Sequence, residues 1–255
     1  MRATLAIAWR DFKALVTSPM FFVITGICSV VWTFNFLRAL TRFAQLSALP
    51  PQVRQGQNFN IHFYLFIEHI SLVNLIFIFA IPAITMKSIS EEKKQGTYDL
   101  LLTSPITATN IALGKFLGAL GVSCVLIFVA LLYPLGMSFF ADFSYGPLFT
   151  SFLGLVLMTA TYVAVGLFAS SISKSLVLSV ILGILFNLIL WLASQSAQMT
   201  DQPTLSAILE YMQIPQQFFS FLKGTFNTSA CVFFLSAIGF FVFLTQRVVE
   251  SSRWR

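Results

Sequence analysis

The chain has 255 residues, 57% hydrophobic and only 9% charged, with 29 Phe, a formal net charge of +6 and a mean hydropathy of +0.85. Ordinary soluble domains carry roughly 25% charged residues, so the composition excludes a soluble globular enzyme and describes a polytopic membrane protein. The basic residues form no run and no polar platform with interleaved aromatics, which sets nucleic acid aside as a partner.

Leu5, Ala8, Trp9, Phe12, Leu15 and Val16 share one helical face over residues 3–16, with Arg10 and Lys13 elsewhere. This pattern predicts an N-terminal helix lying in the membrane interface with Trp9 as its anchor. Arg10, Asp11 and Lys13 interrupt any early apolar core, and the first long run, after Pro19, outlasts a signal-peptide core; the first span is expected to be retained.

Six apolar runs follow, at 20–40, 70–86, 111–139, 147–171, 176–194 and 229–246. Each is near the roughly 20 residues that a helix rising about 1.5 Å per residue needs to cross about 30 Å of hydrocarbon. None shows the alternation of a β-barrel strand. The expected fold is therefore all-α, with six transmembrane helices filling a single membrane domain over 1–255.

The first outer segment carries Pro50, Pro51 and a polar run through Gln52, Arg54, Gln55, Gln57 and Asn58, a loop that could meet a periplasmic partner. His62, Glu68 and His69 precede the second run. They lack the H-E-x-x-H arrangement of a zinc protease and are read as membrane-interface residues. Cys28, Cys124 and Cys231 lie inside spans as small apolar residues with no metal-ligand spacing. No catalytic, cofactor or metal group is expected on the chain.

Residues 91–105 separate the second and third runs. Glu91, Glu92, Lys93 and Lys94 form a mixed-sign solvated end, Gly96 and Thr97 can start a short helix, and Pro105 stops it. Tyr98, Leu101 and Leu102 then share one face, with Asp99 and Thr103 on another. An aromatic-plus-leucine face of that size needs a cover, either the membrane surface or a partner.

Gly114 and Gly118 have the small-x-x-x-small spacing that lets the third span approach a neighbour closely. Asn35, Asn74, Tyr162 and Asn187 are expected inside the bilayer. An unpaired amide there costs roughly several kcal/mol, so each should face another helix or a cavity, as a helix-to-helix contact or part of a translocation path. In 195–228, Leu205, Ile208, Leu209 and Met212 recur at helical spacing before Pro215, and Phe218, Phe219, Phe221 and Leu222 follow. Two short helices dipping into the outer interface are predicted.

Orientation follows from Lys and Arg, which cytoplasmic segments retain in excess. With the N-terminus inside, the inner segments hold Arg2, Arg10, Lys13, Lys87, Lys93, Lys94, Lys115, Lys174, Arg247, Arg253 and Arg255, and the outer ones only Arg38, Arg42, Arg54 and Lys223. Both termini are expected in the cytoplasm.

Three stretches resemble the signature of ABC-2-type transporter permeases. They are Arg10-Asp11-Phe12-Lys13 with Thr17-Ser18-Pro19-Met20-Phe21; Pro82-Ala83-Ile84-Thr85-Met86 with Glu91-Glu92-Lys93-Lys94-Gln95-Gly96-Thr97; and Asp99-Leu100-Leu101-Leu102-Thr103-Ser104-Pro105-Ile106 with Leu113-Gly114-Lys115-Phe116. Asp11 stands where related sequences usually carry glutamate. Within the group the chain looks most like the gliding-motility-associated and nitrous-oxide-reductase-maturation branches.

The resemblance implies that the short helix near Thr97–Thr103 is a cytoplasmic coupling helix seated on a separate ABC ATPase. The implied contact comprises Glu91, Glu92, Gly96, Thr97, Tyr98, Asp99, Leu101, Leu102, Thr103 and Pro105, flanked by Arg10 and Lys13. It also implies ATP and Mg2+ on that partner, a second permease chain, identical or homologous, membrane lipids around both, and an outer gate in 195–228. The expected location is the bacterial inner membrane.

The sequence agrees that the motor lies elsewhere. A P-loop needs G-x-x-x-x-G-K-[ST]; its nearest approach here, Gly114-Lys115, has Thr109 in place of the first glycine and Phe116 in place of the hydroxyl. The expected function is ATP-driven export through a permease subunit. An ATP-driven complex that transmits force to a periplasmic partner without moving cargo is the alternative, and an ATP-independent channel or carrier a third reading.

Overall fold

The computed structural model describes residues 2–48, 50, 60–196 and 214–254. The elements are α1 (Arg2–Val16), α2 (Pro19–Ser47), a π-helical turn His62–Phe66 leading into α3 (Ile67–Gln95), and α4 (Tyr98–Thr103). There follow α5 (Ala108–Gly136) with a 3-10 turn Met137–Phe139, α6 (Tyr145–Ile172), α7 (Leu176–Ser196), α8 (Ile214–Leu222), and α9 (Thr228–Ser251) closed by a 3-10 turn Ser252–Trp254. Among the described residues there is no strand. The helix expected around Leu205–Met212 and the loop 51–59 lie outside the described residues.

Each of the six apolar runs falls within one helix. Five helices are long and apolar enough to cross a membrane, and α7 supplies a shorter apolar stretch, Leu176–Leu192. The helices overrun the apolar runs: His62–Gln95 has 34 residues and Ala108–Phe139 has 32, about 50 Å each at about 1.5 Å per residue. Both therefore project beyond about 30 Å of hydrocarbon. The charged residues 91–95, expected in a separate segment with 96–105, are instead the last turns of α3. Gly96, at φ 73°, ends that helix in the left-handed conformation rather than starting the next one.

Helix α6 is the axis of the bundle. Over its most apolar window 78% of residues are buried, against 22% for α2 and for α9, so α6 is wrapped by its neighbours while α2 and α9 turn most of their surface outward. Close approach around α6 depends on small residues: a Cβ at Gly154 would stand 2.6 Å from Phe221 Cβ of α8, and one at Gly166 would overlap the Thr85 hydroxyl of α3. At the α4 end, Ser170 Oγ of α6 lies 2.9 Å from Ser90 Oγ of α3 and donates to the Met86 carbonyl at 3.1 Å. Such buried hydroxyl contacts fix one helix against another in an apolar setting.

The glycine spacing on α5 receives α1. Ile7 sits over Gly114, Ala8 and Asp11 over Gly118, and Phe12 over Gly121, with Thr4 Oγ1 donating to Asn110 Oδ1 at 3.1 Å. α1 thus runs beside the first turns of α5, burying Ile7, Asp11 and Leu15, while Leu5 and Trp9 remain exposed. A Cβ at Gly118 would stand 2.9 Å from the Ala8 carbonyl, which is backbone and cannot turn aside. Gly118→Val is therefore expected to lever α1 off α5 and cost about 1–3 kcal/mol, read as a lower melting temperature in detergent. Gly26→Val, at a site with nothing within 4 Å, is the control expected to melt close to the parent.

The opposite end is closed by α8. Its last carbonyls lack intrahelical donors, and His62 Nε2 donates to the Leu222 carbonyl at 2.8 Å, with Thr150 Oγ1 donating to Phe221 at 3.2 Å. His69 Nε2 likewise donates to the Ala130 carbonyl of α5 at 3.1 Å. His62 and His69 are buried tie-points between elements rather than interface residues; Glu68 alone stays near the surface, 3.9 Å from Arg42. The sequence pattern could not show this because the accepting carbonyls lie far away in the chain. His62→Ala is expected to loosen α8 at a cost of about 1 kcal/mol, since it leaves the buried Leu222 carbonyl with only a long 3.4 Å bond from Ser151 Oγ; faster proteolysis after α8 would register it.

Candidate functional site

The α4 end brings together the residues expected at a docking contact, in an arrangement the sequence did not reveal. Helix α4 has six residues, with Thr97 before it and Ser104 after it; Ser104 Oγ donates to the Leu101 carbonyl at 2.6 Å. Tyr98 is buried, its ring 5.2 Å from Lys93 Nζ, and Leu101 and Leu102 are half-buried. The face Tyr98–Leu101–Leu102 is therefore covered by the chain itself, between the end of α3 and the end of α9. Lys93 Nζ in turn donates to the Ser171 carbonyl, and Arg253 donates to the Ile106 carbonyl just after α4. Burial raises the Tyr98 phenol above its ordinary pKa, so the ring packs as a neutral group.

With that face turned inward, the other side of α4 projects. Asp99, Leu100 and Thr103 are exposed, Leu100 at 73%, and Gly96, Thr97 and Pro105 are exposed beside them. Leu100 was not among the residues expected at the contact, although the same 100° periodicity that grouped Tyr98 with Leu101 and Leu102 places it opposite them. Next to α4 a cavity of about 530 Å³ opens between Lys93, Lys174, Tyr98, Leu102 and Ser252.

Behind this edge lies an ionic cluster joining three helices. Lys115 Nζ of α5, with a fully buried side chain, is 3.1 Å from Asp11 Oδ2 of α1 and 2.8 Å from Glu92 Oε2 of α3, and donates to the Ser88 carbonyl at 2.5 Å. Arg10 Nη2 reaches Asp11 Oδ1 at 2.8 Å and Glu92 Oε1 at 2.9 Å. Burial pulls the Arg10 pKa down, but the two carboxylates outweigh it and hold the group above its ordinary value. Two cations and two anions balance, which is the condition under which buried charge is tolerated. Arg10 and Glu92, expected to face a partner, are thus engaged within the chain; Lys13 remains exposed and Glu91 half-buried. Gly114 and Lys115, the nearest approach to a P-loop, lie inside α5 as a helix-packing position and the hub of this cluster.

The polar residues expected within the bilayer divide into two groups. Asn74 of α3, Tyr162 of α6 and Asn187 of α7 are buried on three mutually packed helices. Tyr162 faces the Asn74 side chain without a well-formed hydrogen bond, and neither amide atom of Asn187 has a hydrogen-bond partner among the described residues. Asn35 sits apart, half-buried on outward-facing α2.

No curated protein matches the chain. A match to a family is found over residues 5–253, running from the exposed side of α1 through α4 to the closing turn after α9, and that family is described as ABC-2 family transporter protein. Six apolar helices, a short helix braced at one end and a match over nearly the whole length converge: the chain belongs to the ABC-2 transporter family as one of its multi-pass membrane components.

Proposed function

We propose that the chain is the permease subunit of an ABC exporter in a bacterial inner membrane, driven by ATPase subunits on separate chains that seat against α4. The observation that carries this reading is the exposed edge Asp99–Leu100–Thr103, braced from behind by Tyr98 and Lys93 and tied through Arg253 to the C-terminal turn. A push on such an edge passes into the bundle rather than being lost in a loose loop. The excess of Lys and Arg at this end supports a cytoplasmic α4 and cytoplasmic termini.

The second permease chain of the functional unit, identical or homologous, completes the path, with α8 as an outer closure; Asn74, Tyr162 and Asn187, buried within one chain, join its lining when α3, α6 and α7 part. Membership of the gliding-associated or nitrous-oxide-reductase-maturation branch rests on the signature residues alone. Mild extraction of the tagged chain followed by mass spectrometry tests the reading. A stoichiometric P-loop ATPase is the expected result, and a chain that repeatedly emerges alone would sink it. An ATPase that turns over with the permease while no cargo crosses would favour force transmission to a periplasmic partner instead.

A further inference from the structure

The cleft between α1, the turn leading into α2, and α3 holds two charges that the ionic cluster leaves unused. It measures about 440 Å³ and is lined by Ser18, Lys87 and Glu91 together with Arg10, Asp11 and Glu92. The last three are committed to one another and to Lys115. Among the described residues Lys87 donates only to Ser18 Oγ, at 2.8 Å, and Glu91 accepts only a long 3.4 Å bond from Gln95. Among the described residues neither has an ion-pair partner within 4.0 Å.

Lys87 and Glu91 are one turn apart on α3, a separation of about 5–6 Å between Cβ atoms at which such pairs ordinarily meet. Here they stay apart and face the same cleft. Beside the cleft, Leu15, Ser18 and Lys87 also border a shallow apolar crevice of only about 10 Å³ between α2 and α3, with Phe21 and Ile84 buried at its floor and Met20, Ile24 and Ala83 half-exposed at its rim. Pro19 starts a membrane-length helix at this level, so the charged mouth stands at headgroup depth and the crevice at acyl-chain depth.

We infer that this cleft is a binding site for a phospholipid with a primary-amine headgroup, a phosphatidylethanolamine. Its phosphate accepts from Lys87 and from the Ser18 hydroxyl, its ammonium donates to Glu91, and one acyl chain lies over the half-exposed surface of Met20, Ile24 and Ala83. An anionic lipid without an amine meets the Lys87 charge but leaves Glu91 facing a headgroup of its own sign. A choline headgroup brings a cation with no N–H to donate. The site rests on the spans being membrane helices and is independent of ATPase docking.

The test uses the delipidated full-length chain in detergent, offered equimolar phosphatidylethanolamine, phosphatidylglycerol and phosphatidylcholine of one acyl composition, with bound lipid counted by native mass spectrometry. The parent is expected to retain the ethanolamine lipid about tenfold over each of the others. Glu91→Gln should reduce ethanolamine binding to the choline level, Lys87→Ala should lose both, and Lys87→Arg should keep the parent preference. Glycerophosphoethanolamine, the same headgroup without acyl chains, should fail to displace the lipid; displacement would assign the cleft to a soluble zwitterion and overturn the proposal. Equal or stronger phosphatidylglycerol binding by the parent, or an unchanged preference in both Glu91→Gln and Lys87→Ala, overturns it as well. Melting each variant before lipid is added separates lost binding from lost fold, and Lys87→Arg shows whether the charge itself is what matters.

Discussion

Lys115→Met is expected to destabilise the protein by about 3 kcal/mol, the lower end of the cost of removing one partner from a buried ionic group. The Lys115 side chain is fully buried, while those of Asp11 and Glu92 are 9% and 20% exposed. Taking the ammonium away leaves two carboxylates facing each other, neutralised only by Arg10, whose side chain is 54% exposed and so attracts them across solvent. Arg10→Ala should therefore cost less, about 1 kcal/mol or below, as for other exposed pairs. Neutralising the acids together with the lysine, in Lys115→Met with Asp11→Asn and Glu92→Gln, should restore most of the loss, because a buried ionic group and a neutral replacement of similar shape are often close in free energy. Denaturation of the three variants in detergent ranks them. If Lys115→Met melts like the parent, or Arg10→Ala costs more, Lys115 is not the hub.

The apolar runs were legible because length and hydropathy are local properties, and all six lie in helices. The overrun of α3 beyond its run was not, since residues 91–95 are polar and are held by contacts of Glu92 with α1 and α5 and of Lys93 with the end of α6 rather than by lipid. The spacing of Gly114 and Gly118 announced a close neighbour but could not say that the neighbour was α1. Lys115 stood in a recognised motif, yet its role depends on Asp11, 104 residues away. Asp11 reads in the sequence only as a break in an early apolar core and a motif position, and Glu92 as part of a solvated end facing a partner, for the same reason: a cluster formed across three helices has no spacing in the sequence. The face Tyr98–Leu101–Leu102 was grouped correctly, and only its cover was misplaced. Periodicity says which residues are apolar together, whereas the arrangement of α3, α4 and α9 decides what lies against them.

That difference alters which substitution should separate the permease from the proposed ATPase. Leu100→Asp is expected to weaken ATPase association by about 2 kcal/mol, roughly thirtyfold, if Leu100 is the apolar anchor of the proposed contact. It should leave the melting temperature of the permease unchanged, because the side chain is 73% exposed and packs on nothing the fold requires. Tyr98→Asp should behave in the opposite order: it places a charge at a position only 4% exposed and removes the ring beneath Lys93, so the end of the bundle loosens and any loss of binding is indirect. Titrating the ATPase onto each variant in lipid nanodiscs, with a melt of the permease alone, distinguishes the two. Parent-like affinity for Leu100→Asp would show that the motor seats elsewhere, and the exposed edge of α4 would then need another occupant. Lost affinity with an intact melt would tie ATP hydrolysis to a single exposed side chain. From there the braced path through Tyr98 and Lys93 to Ser171 would lead the proposed push into the end of α6, the helix around which the bundle is built.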